Sequence, residues 1–215
     1  MTPSDSSPAP RKIGILLVDD HLAVRLGLTT ILNDQPDIAV IGEAANGPAA
    51  LEAYATVKPD VVLLDLRLPG MSGLEIIAAL HERFEKPKIL VLTTLDREED
   101  IYRSLEAGAK GYLLKDMRKE DLIEGIRAVH AGGHWMSAAA STRLAQRVVH
   151  PSLTAREMEI LRLIVNGRAN KEIASTLSLS EDTVKWHMKS LFTKLDANDR
   201  TQAAVTAIQR GLVQV

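Results

Sequence analysis

Four unbroken apolar runs mark the chain as far as residue 114: Ile13–Val18, Val61–Leu64, residues 89–92 and Gly111–Leu114. A strand with one wet face alternates apolar and polar residues. A strand buried on both faces does not, and continuous Ile/Val/Leu runs of this length read as strands of a parallel sheet. A fifth strand is expected over residues 38–42. Between the runs the apolar period lengthens to that of helices, predicted over residues 22–33, 48–57, 72–83, 97–107 and 119–131. Ser72 and Glu75 form a capping-box pair at the third of these, and Gly132-Gly133 closes the last. Five βα units in this order predict a doubly wound α/β fold, (βα)5.

From about residue 138 the pattern changes. Residues 138–150 lie where a linker belongs, yet hold no Gly or Pro and are rich in Ala. A short helix and a semi-rigid connector are expected there. After Pro151 the period is helical throughout. Thr154 and Glu157 form a second capping box for a helix to about Val165, ended by Asn166-Gly167. Asn170 is expected to cap residues 171–177, Ser180 a longer helix to Leu195, and Asp199 a last helix stopped by Gly211. Four short helices, with a tight turn at residues 177–180, predict a smaller all-α helix-turn-helix domain.

The apolar runs deliver a particular set of groups to one edge of the sheet. Asp19 and Asp20 follow the first run and Asp65 the third strand; Thr93 and Lys115 follow the next two. In an open parallel sheet the carboxyl ends of the strands form the functional edge. Three carboxylates gathered there repel one another unless a hard divalent cation joins them, and oxygen ligands suit Mg²⁺. An acid trio, a hydroxyl and an ammonium are what a cation-assisted phosphoryl acceptor requires.

This order resembles the receiver domain of two-component response regulators, with its flavodoxin-like fold. The segment Gly108–Asp116 is similar to the NarL/FixJ subfamily in particular. The resemblance implies that Asp65 is the phosphoacceptor. It also implies that Asp19, Asp20, Asp65 and the backbone carbonyl of Arg67 hold Mg²⁺, and that Thr93 and Lys115 contact the phosphoryl oxygens. Tyr112, three residues before Lys115, matches the family's switch aromatic, although a plain core aromatic would read the same way.

The C-terminal region resembles the LuxR-type helix-turn-helix. The matching residues are Leu153–Glu157, then Asn166–Ala174, then Thr183-Val184-Lys185 with His187, then Lys194-Leu195. Wound as a helix, residues 180–195 place Val184, His187, Met188, Leu191 and Leu195 on one apolar face, the expected core side. The opposite face carries Asp182, Lys185, Trp186, Lys189 and Thr193. A lysine pair alone is an ordinary solvated face; an exposed tryptophan between the two is uncommon without a partner. The resemblance implies that Lys185, Trp186 and Lys189 face the DNA major groove, while Lys171 and Thr183 hold phosphates. In the last helix, Ala203, Ala204 and Ala207 would permit close approach of a second copy, and a homodimer is expected when the protein is phosphorylated.

Composition narrows the alternatives. Across 215 residues the net charge is only −2, but residues 1–137 carry −6 and residues 152–215 carry +2, so the C-terminal third is the expected seat for a polyanion. Cysteine is absent, which excludes disulfides and thiolate metal sites. Residues 1–10 have no apolar stretch and no basic start, and disorder is expected there, not a signal peptide. No apolar run approaches the ~18 residues of a membrane span, and a soluble cytoplasmic location is expected. The predicted division is a receiver at 11–132, a linker at 133–151 and the DNA-binding domain at 152–215.

The function implied is a phosphorylation-dependent transcription regulator, not an enzyme. Its partners would be a sensor histidine kinase and double-stranded promoter DNA. Two rivals remain. An aspartyl-phosphate phosphatase would need a second acid two residues after Asp65, where Arg67 stands. A phosphorylation-independent DNA-binding regulator with a receiver-like dimerisation domain would not need all five pocket residues.

Overall fold

The computed structural model describes residues 11–95, 97–149 and 153–213; the segment 1–10 expected to be disordered lies outside them. The chain divides into two compact units. In the first, a six-stranded sheet is built from β1 (Ile13–Val18), β2 (Ile38–Ala44), β3 (Val61–Leu64), β4 (Ile89–Thr93), β5 (Gly111–Leu114) and β6 (Trp135–Met136). Helices α1 (Leu22–Asn33), α2 (Gly47–Val57), α3 (Gly73–Arg83), α4 (Glu98–Glu106) and α5 (Lys119–His130) follow the first five strands in turn. The strand order is β2-β1-β3-β4-β5-β6, and every pairing is parallel. All residues of β1, β3 and β4 are buried, as the unbroken apolar runs require.

The sixth strand departs from the expected five. β6 is two residues long and pairs with β5 through Gly111↔Trp135 and Tyr112↔Met136. Its indole lies across Gly125 of α5, where a Cβ would come within 2.7 Å of Trp135 Cδ1. The strand exists because this glycine leaves room for the ring, a tertiary cause that a two-residue apolar pair does not announce. Helix ends otherwise fall within a residue or two of the expected ones. Ser72 caps α3 by the reciprocal capping box with Glu75.

Register carries the strand ends to one place. Val18 of β1 pairs with Leu64 of β3, and Thr93 of β4 with Leu114 of β5. The residues just beyond these pairs are Asp19, Asp65 and Lys115. The order reverses between β1 and β3, which is the switch point where an open α/β sheet leaves a crevice. Gly73 lets the chain after β3 fold back over this edge, since a Cβ there would lie 2.6 Å from Leu66 Cα and 2.8 Å from the Asp65 carbonyl oxygen.

Helix α6 (Ala138–Val149) forms where the Ala-rich connector was expected to be helical. The second unit contains α7 (Ala155–Val165), α8 (Asn170–Leu177), α9 (Glu181–Leu195) and α10 (Arg200–Gln209). Their apolar faces meet in one core that includes Ile160, Ile164, Ile173, Val184, Leu191 and Leu195. Three caps are as expected: Thr154, Ser180 and Asp199 each accept a backbone N–H three residues on. The fourth is not. Ala169, not Asn170, is the N-cap of α8, and Glu172 compensates by accepting the Ala169 N–H at 2.7 Å.

One site expectation fails on packing. Ala203 and Ala207 are fully buried in the core of their own unit, and Ala204 packs against it. Ala203 and Ala207 permit close approach of α10 to its own neighbours and offer no surface to a second copy, whereas Ala204 is half-buried; the exposed large apolar residue on α10 is Val205. His187, read as a structural residue on the apolar face of α9, is half-buried and sits edge-on to Trp186, with ring centroids 4.8 Å apart.

Candidate functional site

At the switch point of the first unit, Asp19 and Asp65 are buried while Asp20 and His21 are exposed. The Lys115 ammonium bridges the two buried acids, 2.6 Å from Asp19 Oδ2 and 2.5 Å from Asp65 Oδ2. Burial pushes this ammonium toward its neutral form. Hydrogen bonds to Asp19 and Asp65, together with their charges, outweigh that and hold its pKa above the ordinary lysine value. The other oxygens are also held. Asp19 Oδ1 accepts the His21 N–H at 2.8 Å, and Asp65 Oδ1 accepts the Arg67 N–H at 3.1 Å.

The three carboxylates and one ammonium leave the pocket two charges negative. One oxygen from each of Asp19, Asp20 and Asp65, and one ring nitrogen of His21, all lie within 4.8 Å of one another. Oxygen donors so grouped fit a hard divalent cation, which would balance the charge. The expected acid trio is therefore brought together.

Thr93 is fully buried, and its Oγ1 accepts the Leu95 N–H at 3.4 Å. Tyr112 is also fully buried, and its hydroxyl donates to the Leu95 carbonyl at 2.8 Å. The hydroxyl beside the acid pocket and the aromatic on β5 thus grip the same residue of the β4–α4 loop. Two further residues serve the pocket and escaped the sequence reading. His21 turns its ring toward the acids, with Nδ1 2.8 Å from Asp20 Oδ1. Arg25, one turn into α1, donates to the Asp19 carbonyl at 2.7 Å and pairs with Glu43 on β2. His21 adjoins Asp20 in the sequence, so its proximity was visible, but the direction of its ring was not.

In the second unit, α8 and α9 are joined by a turn in which Ser178 adopts a left-handed conformation, φ 54°. Lys171 is exposed at the start of α8. At the start of α9, Thr183 donates its N–H to Ser180 Oγ at 3.1 Å, and the two hydroxyls lie 2.8 Å apart. Along α9, Asp182, Lys185, Trp186, Lys189 and Thr193 are all exposed, as the helical wheel required. Trp186 retains 67% of its surface, far more than an indole keeps without a partner to meet. Lys185 pairs with Asp182 at 3.0 Å; both are exposed, and such a pair is worth little against a stronger anion. Lys185 and Lys189 line an open groove of about 580 Å³ together with Met188, Phe192 and residues 196–198.

Beneath this surface Glu157 is buried, although its position in a capping box suggests only a local role. Its carboxylate accepts Ser190 Oγ and Lys194 Nζ of α9, each at 2.7 Å, and the Thr154 N–H at 2.8 Å. Burial raises its pKa, but Lys194, the Thr154 backbone and Ser190 together hold it down to about 2.

Comparison with known proteins covers both units. Residues 15–127 match the response regulator receiver domain family, and residues 151–207 match the luxR family of bacterial regulatory proteins. The transcriptional regulatory protein LiaR of Bacillus subtilis is 41% identical over 209 residues, 94% of this chain and 99% of LiaR. The nitrate/nitrite response regulator NarL of Escherichia coli K12 is 41% identical over 201 residues, 89% of this chain and 93% of NarL. Among solved structures, the response regulator ChrA of a heme-sensing two-component system aligns with 94% of this chain and 99% of its own, at TM-score 0.56 and 39% identity. RcsB from Salmonella enterica serovar Typhimurium, bound to promoter rprA in the presence of phosphomimetic BeF3−, aligns at TM-score 0.73 and 25% identity over 91% and 98% of the chains.

Proposed function

The chain belongs to the NarL/FixJ-type response regulators of two-component systems, DNA-binding transcription regulators and not enzymes, and we propose that Asp65 is its phosphoacceptor. The observation that carries this is the bridge of Lys115 between Asp65 and Asp19 at the switch-point crevice. Asp65 is one of the two buried acids of the group, touched by the ammonium on one oxygen and by the Arg67 N–H on the other. Lys171 and Thr183 for DNA phosphates, and Lys185, Trp186 and Lys189 for the major groove, complete the assignment. The domain division proposed is 11–132, 133–151 and 152–215.

The chemistry follows from the charges. A carboxylate oxygen of Asp65 attacks the phosphorus of a phosphohistidine on a sensor kinase; the P–N bond breaks and the imidazole leaves. Asp19, Asp20, Asp65 and the Arg67 carbonyl would hold Mg²⁺, which supplies the positive charge that offsets three carboxylates and an incoming phosphoryl group. Lys115 exchanges part of its contact with Asp65 for a phosphoryl oxygen. Thr93 Oγ1 gives up the Leu95 N–H to donate to another. Because Tyr112 holds the carbonyl of that same Leu95, the loop after β4 feels the change, and a pre-existing two-state equilibrium is shifted. Binding to promoter DNA in a homodimer is the output, in the cytoplasm where kinase output and chromosome meet. Among the described residues no helix is long and apolar enough to cross a membrane.

Acetyl phosphate with Mg²⁺ tests the assignment. Intact mass should rise by one phosphoryl group in the wild type, EDTA should block it, and Asp65→Asn should abolish it. Full labelling of the Asn variant would sink the reading. DNA binding that is identical with and without the label would favour the phosphorylation-independent alternative.

A further inference from the structure

We propose that His21 is a nitrogen ligand of the ion held in the acid pocket, and that it opens this pocket to divalent metals that prefer nitrogen. The inference rests on the reading of Asp19, Asp20 and Asp65 as a cation site and adds a donor to it. His21 occupies the N-cap position of α1, yet its side chain makes no capping hydrogen bond. It turns toward the acids instead. Nδ1 lies 2.8 Å from Asp20 Oδ1 and 3.3 Å from Asp19 Oδ1. Ligand atoms about 2.1 Å from one ion in octahedral geometry are about 3.0 Å apart along an edge and about 4.2 Å across. The two His21 spacings bracket the edge value, and the whole four-residue group spans no more than 4.8 Å.

The opposite side of the ring is suited to the role. The His21 side chain is 64% exposed, so the ring keeps contact with water while Nδ1 is directed at the acids, and an imidazole can bind a metal through one nitrogen while the other carries the proton. Lys115 does not compete for the same position, because it binds the Oδ2 atoms of Asp19 and Asp65. An imidazole nitrogen adds little for Mg²⁺, which is hard and replaces a missing ligand by water. It adds much for Ni²⁺ or Co²⁺, and something for Mn²⁺, in the order in which these ions favour nitrogen donors.

The test uses untagged full-length protein and each metal salt alone. By titration calorimetry, His21→Ala should weaken Ni²⁺ binding by roughly tenfold or more and change Mg²⁺ binding by less than about threefold. Asp20→Ala should weaken both. Pulsed EPR of the Mn²⁺-loaded wild type should show nitrogen-14 coupling that His21→Ala removes. Circular dichroism of the variant should match the wild type, since the side chain is on the surface. Wild-type Mn²⁺ without nitrogen coupling, or equal Ni²⁺ affinity with and without the imidazole, overturns the proposal for His21 while leaving the acid site standing. Undiminished Mg²⁺ binding by Asp20→Ala overturns both.

Discussion

Removing the charge of Glu157 should destabilise the second unit by an amount that disappears in acid. The carboxylate is 3% exposed and gathers a lysine, a serine hydroxyl and a backbone N–H. Its pKa falls from an ordinary 4.5 to about 2 in the folded state. One pKa unit corresponds to about 1.4 kcal/mol, so the charged form contributes about 3 kcal/mol near neutrality. The folded pKa is depressed. The contribution is therefore complete above pH 4.5 and is lost as pH falls toward 2, with about 1 kcal/mol left at pH 3.

The reporter for this experiment is built into α9. The chain has two tryptophans. A Trp135→Phe background leaves Trp186 as the sole indole, and its emission follows urea unfolding of the second unit. In that background Glu157→Gln should cost about 3 kcal/mol at pH 7 and about 1 kcal/mol at pH 3. Glutamine keeps the shape and can still accept from Ser190, so a packing defect would cost the same at both pH values. A penalty independent of pH, or one below about 0.5 kcal/mol at pH 7, would refute the reasoning, the lower figure being what an ordinary surface substitution costs.

Three other outcomes follow from the geometry. Lys115→Met should leave two buried carboxylates facing each other and lower the melting point of the first unit in EDTA, by an amount set by the roughly 3–5 kcal/mol cost of breaking a buried pair; Mg²⁺ should restore much of it in a thermal scan, and no effect of Mg²⁺ would count against the cation site. Lys185→Ala and Lys189→Ala should each weaken binding in fluorescence anisotropy. A lysine that meets only phosphate weakens all sequences alike and reduces the salt slope by about 1, whereas loss of a base contact costs about 1–3 kcal/mol at one position. Val205→Asp should reduce the dimer fraction of phosphorylated protein in analytical ultracentrifugation, whereas an unchanged dimer would place the contact elsewhere.

The acid pocket was legible because its geometry is one-dimensional before it is three-dimensional. Parallel strands buried on both faces show as unbroken apolar runs, and each run ends where the sheet ends. Asp19, Asp65, Thr93 and Lys115 could therefore be assigned to one edge by counting. Groups that act across helices are not ordered in this way. Glu157 meets Ser190 and Lys194 across 33 and 37 residues, and nothing in the intervening pattern links them. The capping box at Thr154 was visible, but its visible role hid the larger one. β6 needed Gly125 beneath Trp135, again a pairing between distant positions.

The alanines of α10 show a different kind of ambiguity. Ala203 and Ala207, one turn apart, let another surface come close, and the sequence does not say whose surface it is. Core and interface both use small residues for that purpose. The larger apolar neighbours decide. A helix of ten residues that packs on its own unit must point its small residues inward if Ile160, Leu191 and Leu195 already fill the space beneath. Val205 is then turned outward, 47% exposed. A branched aliphatic side chain with about half its surface in water stands out on an otherwise polar outer face. The surface on which two copies would meet along α10 is therefore centred on Val205 and flanked by Thr201 and Gln209, on the side of the helix opposite to the alanines.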